Sequence, residues 1–438
     1  MVGNGVLMRK SVLLALAALC AARVLAQDGG GRMTLSLADA VTMARERNVT
    51  LRRSEITLGA AARAKDHSWN SVSPSASVTG GLSAPDGIGG SGSPSDFTAE
   101  VSGAISLSFS PNLYTSMKSA RISYEQGEIS YEQACRTVER SVREAFYGLL
   151  YEKENITLQE RNLQTAQEQY EQNLARYNQG RMSELDVLTA EVRYKSLLPT
   201  VESAHIAFEN DLDSFAQLLG MDGSPQIELL GSLDDVRIAE RVTLDGVDIT
   251  SPTVAELEKR LEKAKNDLLA ARFTAYAPAL TARWSHGLYS RPAGKERDLS
   301  DSGTFSLTAT IPLDGLLPWS QRADGVSSAE DTIADLELQL DEARRSLAVT
   351  TQGCLRKIAQ AQSSLKSFQA NAELAQRTYD MTLQAYNRGT RDLLSLQNAS
   401  DSLLSAQVSL RNAQRTLINA VLELENTIGV PFGTISGR

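Results

Sequence analysis

The chain is written twice. Tyr177-Asn178-Gln179-Gly180 returns 209 residues later as Tyr386-Asn387-Arg388-Gly389, and Leu219-Gly220 returns as Ile428-Gly429 at the same offset. Pro74 returns as Pro278, with Ser75-Ala76-Ser77 facing Ala279-Leu280-Thr281. A duplication of this length removes the default reading of 438 residues as two or three unrelated domains. One unit is used twice, over roughly 34–220 and 252–429.

Both halves carry the same order of signals. The first is a helix. Ser36-Leu37-Ala38-Asp39 has the capping-box pattern ahead of Ala40, Val41 and Ala44, and the apolar pattern runs on through Leu51, Ile56 and Leu58 towards Trp69. Residues 254–276, with Leu257, Leu261, Leu268 and Leu269, are its counterpart.

Two strands follow in each half. Val101, Gly103, Ile105, Leu107 and Phe109 alternate with Ser102, Ala104, Ser106, Ser108 and Ser110, after a shorter run from Ala76 to Leu82. In the second half Leu280, Ala282, Trp284 and Leu288 share one parity. Phe305, Leu307, Ala309, Ile311 and Leu313 then alternate with Ser and Thr. Period two with apolar residues one way and hydroxyls the other predicts two-faced strands. The expected hairpin loops are 84–96, rich in Gly, Ser and Pro, and 290–303, rich in charge.

A long helical hairpin completes each half. No proline interrupts 112–179, and Leu149, Ile156, Leu163, Tyr170 and Tyr177 keep a strict seven-residue spacing. The same positions in the second half are Ile358, Leu365, Ala372, Tyr379 and Tyr386. That spacing marks a coiled-coil seam, and about 65 residues at 1.5 Å each give a helix roughly 100 Å long. After Gly180 a second helix returns through Leu185, Leu188, Val192 and Phe215, with Pro199 expected to bend or break it.

Residues 1–26 read as a secretory signal peptide: Arg9 and Lys10, an apolar run over 11–22, and Val24-Leu25-Ala26 before Gln27. A retained anchor is the alternative. A lipidated Cys20 is disfavoured by Leu19 before it. Cleavage takes the net charge from −9 to −12, which argues against nucleic-acid binding. Cys135 and Cys354 remain in the exported chain, too few for a disulfide framework. The segments are then the first repeat over 27–220, a connector over 221–251, the second repeat over 252–429 and a short tail over 430–438.

Four amphipathic strands cannot close a membrane barrel, because such barrels start at eight strands and an open edge in lipid leaves backbone groups unpaired. The strands either form a soluble sheet or close with other copies of the chain. Their two faces favour the second: Val101, Ile105, Leu107, Phe109, Trp284, Phe305, Leu307 and Ile311 toward lipid, and Ser and Thr toward water. Trp284 is a candidate for an aromatic interface belt.

With these features in order and in both halves, the sequence resembles the TolC-like outer-membrane efflux proteins over essentially the whole exported chain. Leu35-Ser36-Leu37-Ala38-Asp39-Ala40 with Ala44 and Asn48 looks like the family's opening helix, with Val49 in place of the usual Pro. Pro74 and Pro278 match the prolines that open the strands. Ile311-Pro312-Leu313-Asp314-Gly315 matches the exit from the second hairpin without its aromatic residue. Gly180 with Leu185-Asp186-Val187-Leu188, and Gly389-Thr390-Arg391, match the turns at the helical tips.

The resemblance implies a mainly α fold with a small β part: long coiled-coil hairpins forming a periplasmic tunnel, and four strands per chain in a homotrimeric twelve-stranded outer-membrane barrel. It implies an exit duct in contact with outer-membrane lipid. A periplasmic adaptor protein would join this duct to an inner-membrane pump of ABC, RND or MFS type, for efflux or type I secretion. It also places a periplasmic gate at Asp186, Tyr386 and Arg391. The adaptor would dock at the tips, Gly180, Arg181, Met182, Ser183, Gly389, Thr390 and Arg391. Family members carry two Asp residues at the pore constriction where this chain has Ser395 and Asn398, so weak block by multivalent cations is expected.

No catalytic constellation stands beside this. His67, His205 and His286 have no metal-ligand spacing, there is no phosphate-binding glycine loop, and neither enzyme activity nor a cofactor is expected. A non-channel coiled-coil protein of the cell envelope is the competing reading. It accounts for the heptads and the signal but not for four two-faced strands.

Overall fold

The computed structural model describes residues 33–83, 98–223, 226–236, 238, 242, 244, 251–293 and 296–435. The expected signal segment and the expected 84–96 loop lie outside them, as do most of 237–250 and the last three residues. The first half runs β1 (Met33–Leu35), α1 (Leu37–Arg47), α2 (Val49–Asp66), β2 (Ser75–Ser83), β3 (Thr98–Phe109), α3 (Asn112–Asn178) and α4 (Glu184–Leu218). A short strand β4 (Ile227–Leu229) follows. The second half runs α5 (Pro252–Tyr276), β5 (Ala279–Ala293), β6 (Glu296–Thr310), α6 (Gln321–Asn387) and α7 (Leu393–Ile428). α3 and α6 are each 67 residues long, the pair that the unbroken heptads predict. No helix of the described residues is long and apolar enough to cross a membrane.

The expected first helix is two helices. Asn48 turns to ψ 126 and ends α1. Its Oδ1 then accepts from the Thr50 and Leu51 N–H groups at 2.9 and 3.3 Å, and its Nδ2 donates to the Leu218 carbonyl at 2.7 Å. One buried amide therefore stops one helix, starts the next and ties both to α4. The 290–303 segment is also corrected. β5 and β6 pair on to Ala293↔Glu296, so most of the expected loop is strand. Charged residues there looked like loop chemistry, yet an antiparallel pair accepts them wherever a face is wet. α4 runs on through Pro199.

The chain divides into two compact units, 1–52 with 133–251 and 347–438, and 53–132 with 252–346. In the first, β1 and β4 pair in parallel. Leu35, Ala40, Met43 and Ala44 there pack with Val142, Phe146, Leu149, Phe215 and Leu219 in the main core. A second core joins Cys354 and Ile358 of α6 to Leu417, Val421, Leu424 and Ile428 of α7. The tail folds back in this unit: the buried Glu425 carboxylate accepts from the Gly433 and Ile435 N–H groups at 3.0 and 2.8 Å. The second unit holds the four-stranded sheet, in the order β2-β3-β5-β6, antiparallel throughout.

Candidate functional site

Two places carry the geometry of a duct, one in each unit. The first is the sheet. The pairing aligns Ala76, Ile105, Trp284 and Phe305 in one cross-strand row, with Leu107, Ala282 and Leu307 in another and Phe109, Leu280 and Ala309 in a third. Between these lie rows such as Ser77, Ala104, Ser285 and Thr304, and Ser108, Thr281 and Thr308. Because side chains alternate across a pleat, the first set faces one way and the second the other. Val101, Ile105, Phe109, Trp284, Phe305, Leu307 and Ile311 are exposed among the described residues. Along β5 this parity runs from Leu280 to the Ser290 row, where Leu299 lies opposite, with His286 and Asp301 as the polar interruptions. Ten residues at about 3.4 Å, tilted by about 40°, span roughly 26 Å, close to the ~25 Å apolar band of outer-membrane barrels.

Trp284 lies within this ladder, between Ile105 and Phe305, and not at its end; its ring stacks on His286 with centroids 6.2 Å apart. His286 Nε2 approaches Asp301 at 3.8 Å on the same face. β2 and β6 have one partner each, so both edges of the sheet present unpaired backbone groups.

The second place is the pair of helical turns in the first unit. Gly180 and Gly389 both take left-handed φ, 71° and 75°, which an L side chain resists. Around them the bonds repeat. Gly180 N–H donates to Tyr177 and Arg181 N–H to Arg176, while Gly389 N–H donates to Tyr386 and Thr390 N–H to Ala385. Both return helices are then capped three residues past the glycine, but with exchanged chemistry. Ser183 Oγ accepts from the Asp186 N–H at 3.2 Å and donates to Asp186 Oδ2 at 2.6 Å. At the equivalent positions Asp392 Oδ1 accepts from the Ser395 N–H at 3.0 Å. Between the helices, Arg181 is exposed and Met182 is half-buried.

The three residues expected at the gate, Asp186, Tyr386 and Arg391, make no bond to one another among the described residues. Tyr386 is buried and donates its hydroxyl to Asn173 Oδ1 at 2.8 Å. Its equivalent Tyr177 is 41% exposed, so the two halves treat the same residue differently. Burial pushes the Tyr386 hydroxyl above the usual tyrosine range. The Asn173 bond and the Arg176 cation oppose this, and the Asp186 charge adds to it. Asp186 is thus within electrostatic reach of Tyr386, but it is bonded in its own cap. Among the described residues Arg391 forms no ion pair with Asp186.

Links missed by the sequence reading join the first-half helices to the second-half ones; those toward the turns are Tyr386 to Asn173, Ser400 to Asn162 at 3.1 Å, and Arg193 to both carboxylate oxygens of Asp401, one at 2.8 Å. They flank a small core of Ala190, Tyr386, Leu393 and Leu396. The only signal available was polar residues within heptad stretches. Ser395 and Asn398 place no carboxylate at the expected constriction. The nearby Asp392 carboxylate caps α7 through the Ser395 N–H, and that bond keeps it below the usual carboxylate range. No group of three or more His, Cys, Asp or Glu able to hold a metal occurs among the described residues.

A duplicated chain that pairs long helical hairpins with a two-faced, open-edged sheet defines the class of outer-membrane channel-tunnels. The outer membrane efflux protein model matches residues 40–220 and again 247–430, and the chain belongs to that family. It is 21% identical to the outer membrane protein TolC of Escherichia coli over 327 residues; the match covers 69% of this chain and spans only 63% of that relative's length. Among solved structures it is similar in fold to the open-state MtrE channel of Neisseria gonorrhoeae (TM-score 0.71, 18% identity, 90% of this chain and 89% of that one). The CmeC channel of Campylobacter jejuni is comparable (TM-score 0.69, 18% identity, 90% and 85%).

Proposed function

We propose that the protein is the outer-membrane duct of a tripartite efflux or type I secretion system. The observation that carries this reading is the sheet: four strands, apolar on one face and hydroxyl-lined on the other, with both edges open. In lipid those edges must be paired. Three copies joined β6 to β2 give twelve strands and no edge, with the Ser and Thr face lining water and the apolar face against lipid. The helical hairpins then form the periplasmic tunnel. A periplasmic adaptor meets the Gly180 and Gly389 turns, and an inner-membrane pump supplies the cargo. The chain works as a conduit, without catalysis.

The gate belongs to the same reading. Tyr386 holds its hairpin to α3 through Asn173, and Asp186 stands close by. Arg391, which makes no bond to Asp186 within the chain, is the member free to reach a carboxylate of a neighbouring copy. Charge-assisted links of this kind are directional and, when partly exposed, weak enough to open on adaptor binding.

The test is extraction and reconstitution. A detergent-solubilised trimer from the outer membrane, giving discrete single-channel conductance in planar bilayers, is the expected result. Recovery as a water-soluble periplasmic monomer would rule the duct out.

A further inference from the structure

The two copies of the repeat differ in how their second strand reaches the long helix. β3 reaches α3 across two residues, Ser110 and Pro111, whereas β6 reaches α6 across ten, 311–320. The longer link is held in place. Gly315 is buried so tightly against the end of α5 that a Cβ would overlap the Ala275 carbonyl. Asp314 pairs with Arg322 at 3.1 Å, and Arg322 donates to the Thr274 carbonyl at 2.8 Å. Successive turns close through Leu316 N–H to Leu313, Leu317 N–H to Asp314 and Ser320 N–H to Leu317.

On this fixed backbone the large apolar side chains point outward. Ile311, Leu313, Leu316, Leu317 and Trp319 are 63, 68, 68, 43 and 81% exposed. A patch of this kind on a fixed backbone marks an interaction surface. It adjoins the apolar face of β6, whose odd-numbered parity Ile311 and Leu313 continue. The other three strand–helix junctions, at the same end of the sheet, also carry exposed aromatic rings: Trp69, Phe109 with Tyr114, and Tyr276. Amphipathic rings gather where a bilayer meets water.

We propose that residues 311–320 form an interfacial anchor that lies in the headgroup–acyl boundary of the phospholipid leaflet facing the periplasm and sets how deep the sheet sits. The proposal rests on the sheet being a membrane wall. The roughly 26 Å apolar span then counts outward from this boundary.

The chain has three tryptophans, Trp69, Trp284 and Trp319, which makes depth measurable. Full-length protein carrying only Trp319 (Trp69→Phe, Trp284→Phe) or only Trp284 (Trp69→Phe, Trp319→Phe) is reconstituted in phosphatidylcholine vesicles. The vesicle lipids are brominated near the headgroup or deep in the chain. Trp319 is expected to be quenched at least twofold more by shallow than by deep bromine, and Trp284 at least as strongly by deep bromine. Leu316→Trp in a tryptophan-free background reads the same boundary one turn away, should either variant fold poorly. If Trp284 is quenched while Trp319 is reached by aqueous iodide alone, or shielded from iodide and lipid alike by a second copy, the anchor is wrong. If neither is quenched by lipid, the membrane-wall reading itself fails.

Discussion

The Tyr386 hydroxyl bonds Asn173 Oδ1 across 2.8 Å in a buried setting, and the Nδ2 of Asn173 has no partner among the described residues. This bond joins the last turn of α6 to α3, beside one of the two glycine turns. Tyr386→Phe leaves a buried amide oxygen unsatisfied, at a cost of about 1–2 kcal/mol. Denaturant unfolding should show that loss. Asn173→Ala in the Tyr386→Phe background should add less than it does alone, and fully additive effects would show that the two side chains are not coupled.

Arg193 and Asp401 form a two-oxygen ion pair between α4 and α7, with side chains 21 and 50% exposed. At that exposure the pair contributes on the order of 0.5–1 kcal/mol. Its expected importance is for opening. Arg193→Ala or Asp401→Ala should raise the open fraction of single channels several-fold, and the exchanged pair Arg193→Asp with Asp401→Arg should bring it back down. Equal open fractions in all four proteins would remove the pair from the gate.

Among the described residues, Glu152 is an acid whose burial holds its proton toward neutrality. Burial first, and then the Asp211 carboxyl, raise it from 4.5 to about 7, against the pull of Arg415. The folded chain therefore binds more protons than the unfolded one between those values. Stability should fall as pH rises from about 5 to about 8. Thermal melting at the two pH values should show this slope, and Glu152→Gln should flatten it. A slope that survives the substitution would assign the titration elsewhere.

With Ser395 and Asn398 at the constriction positions, bilayer conductance should be only weakly blocked by hexamminecobalt. Ser395→Asp with Asn398→Asp should tighten block by an order of magnitude or more, since rings of carboxylates bind cations. Tight block of the unaltered channel that disappears in Asp392→Asn would overturn this assignment.

How legible all this was in the sequence depends on where each signal lies. Strand faces and hairpin ends were legible because period two and period seven are written along the chain, and Gly180 and Gly389 mark the turns. The break at Asn48 was not, because Leu51 and Ile56 continue the apolar pattern and the stop comes from an amide reaching Leu218. The extent of β5 and β6 was hidden by charges that suit a wet strand as well as a loop. The partners of Tyr386 and Arg193 were hidden for another reason: each lies on a different helix, more than 200 residues away in sequence.

The exchanged caps of the two turns have a consequence for recognition. Backbone shape at Gly180 and Gly389 is the same, but the carboxylate engaged in the cap stands at the fourth helix-entry residue in one, Asp186, with Glu184 beside it, and at the first in the other, Asp392. The two corners are thus quasi-equivalent: superimposable in outline, distinct in electrostatic pattern. A partner built from identical subunits can fit both by shape, but it must choose between them by charge. Swapping the pairs, with Ser183→Asp and Asp186→Ser against Asp392→Ser and Ser395→Asp, would exchange the cap carboxylates of the two corners without changing the contour.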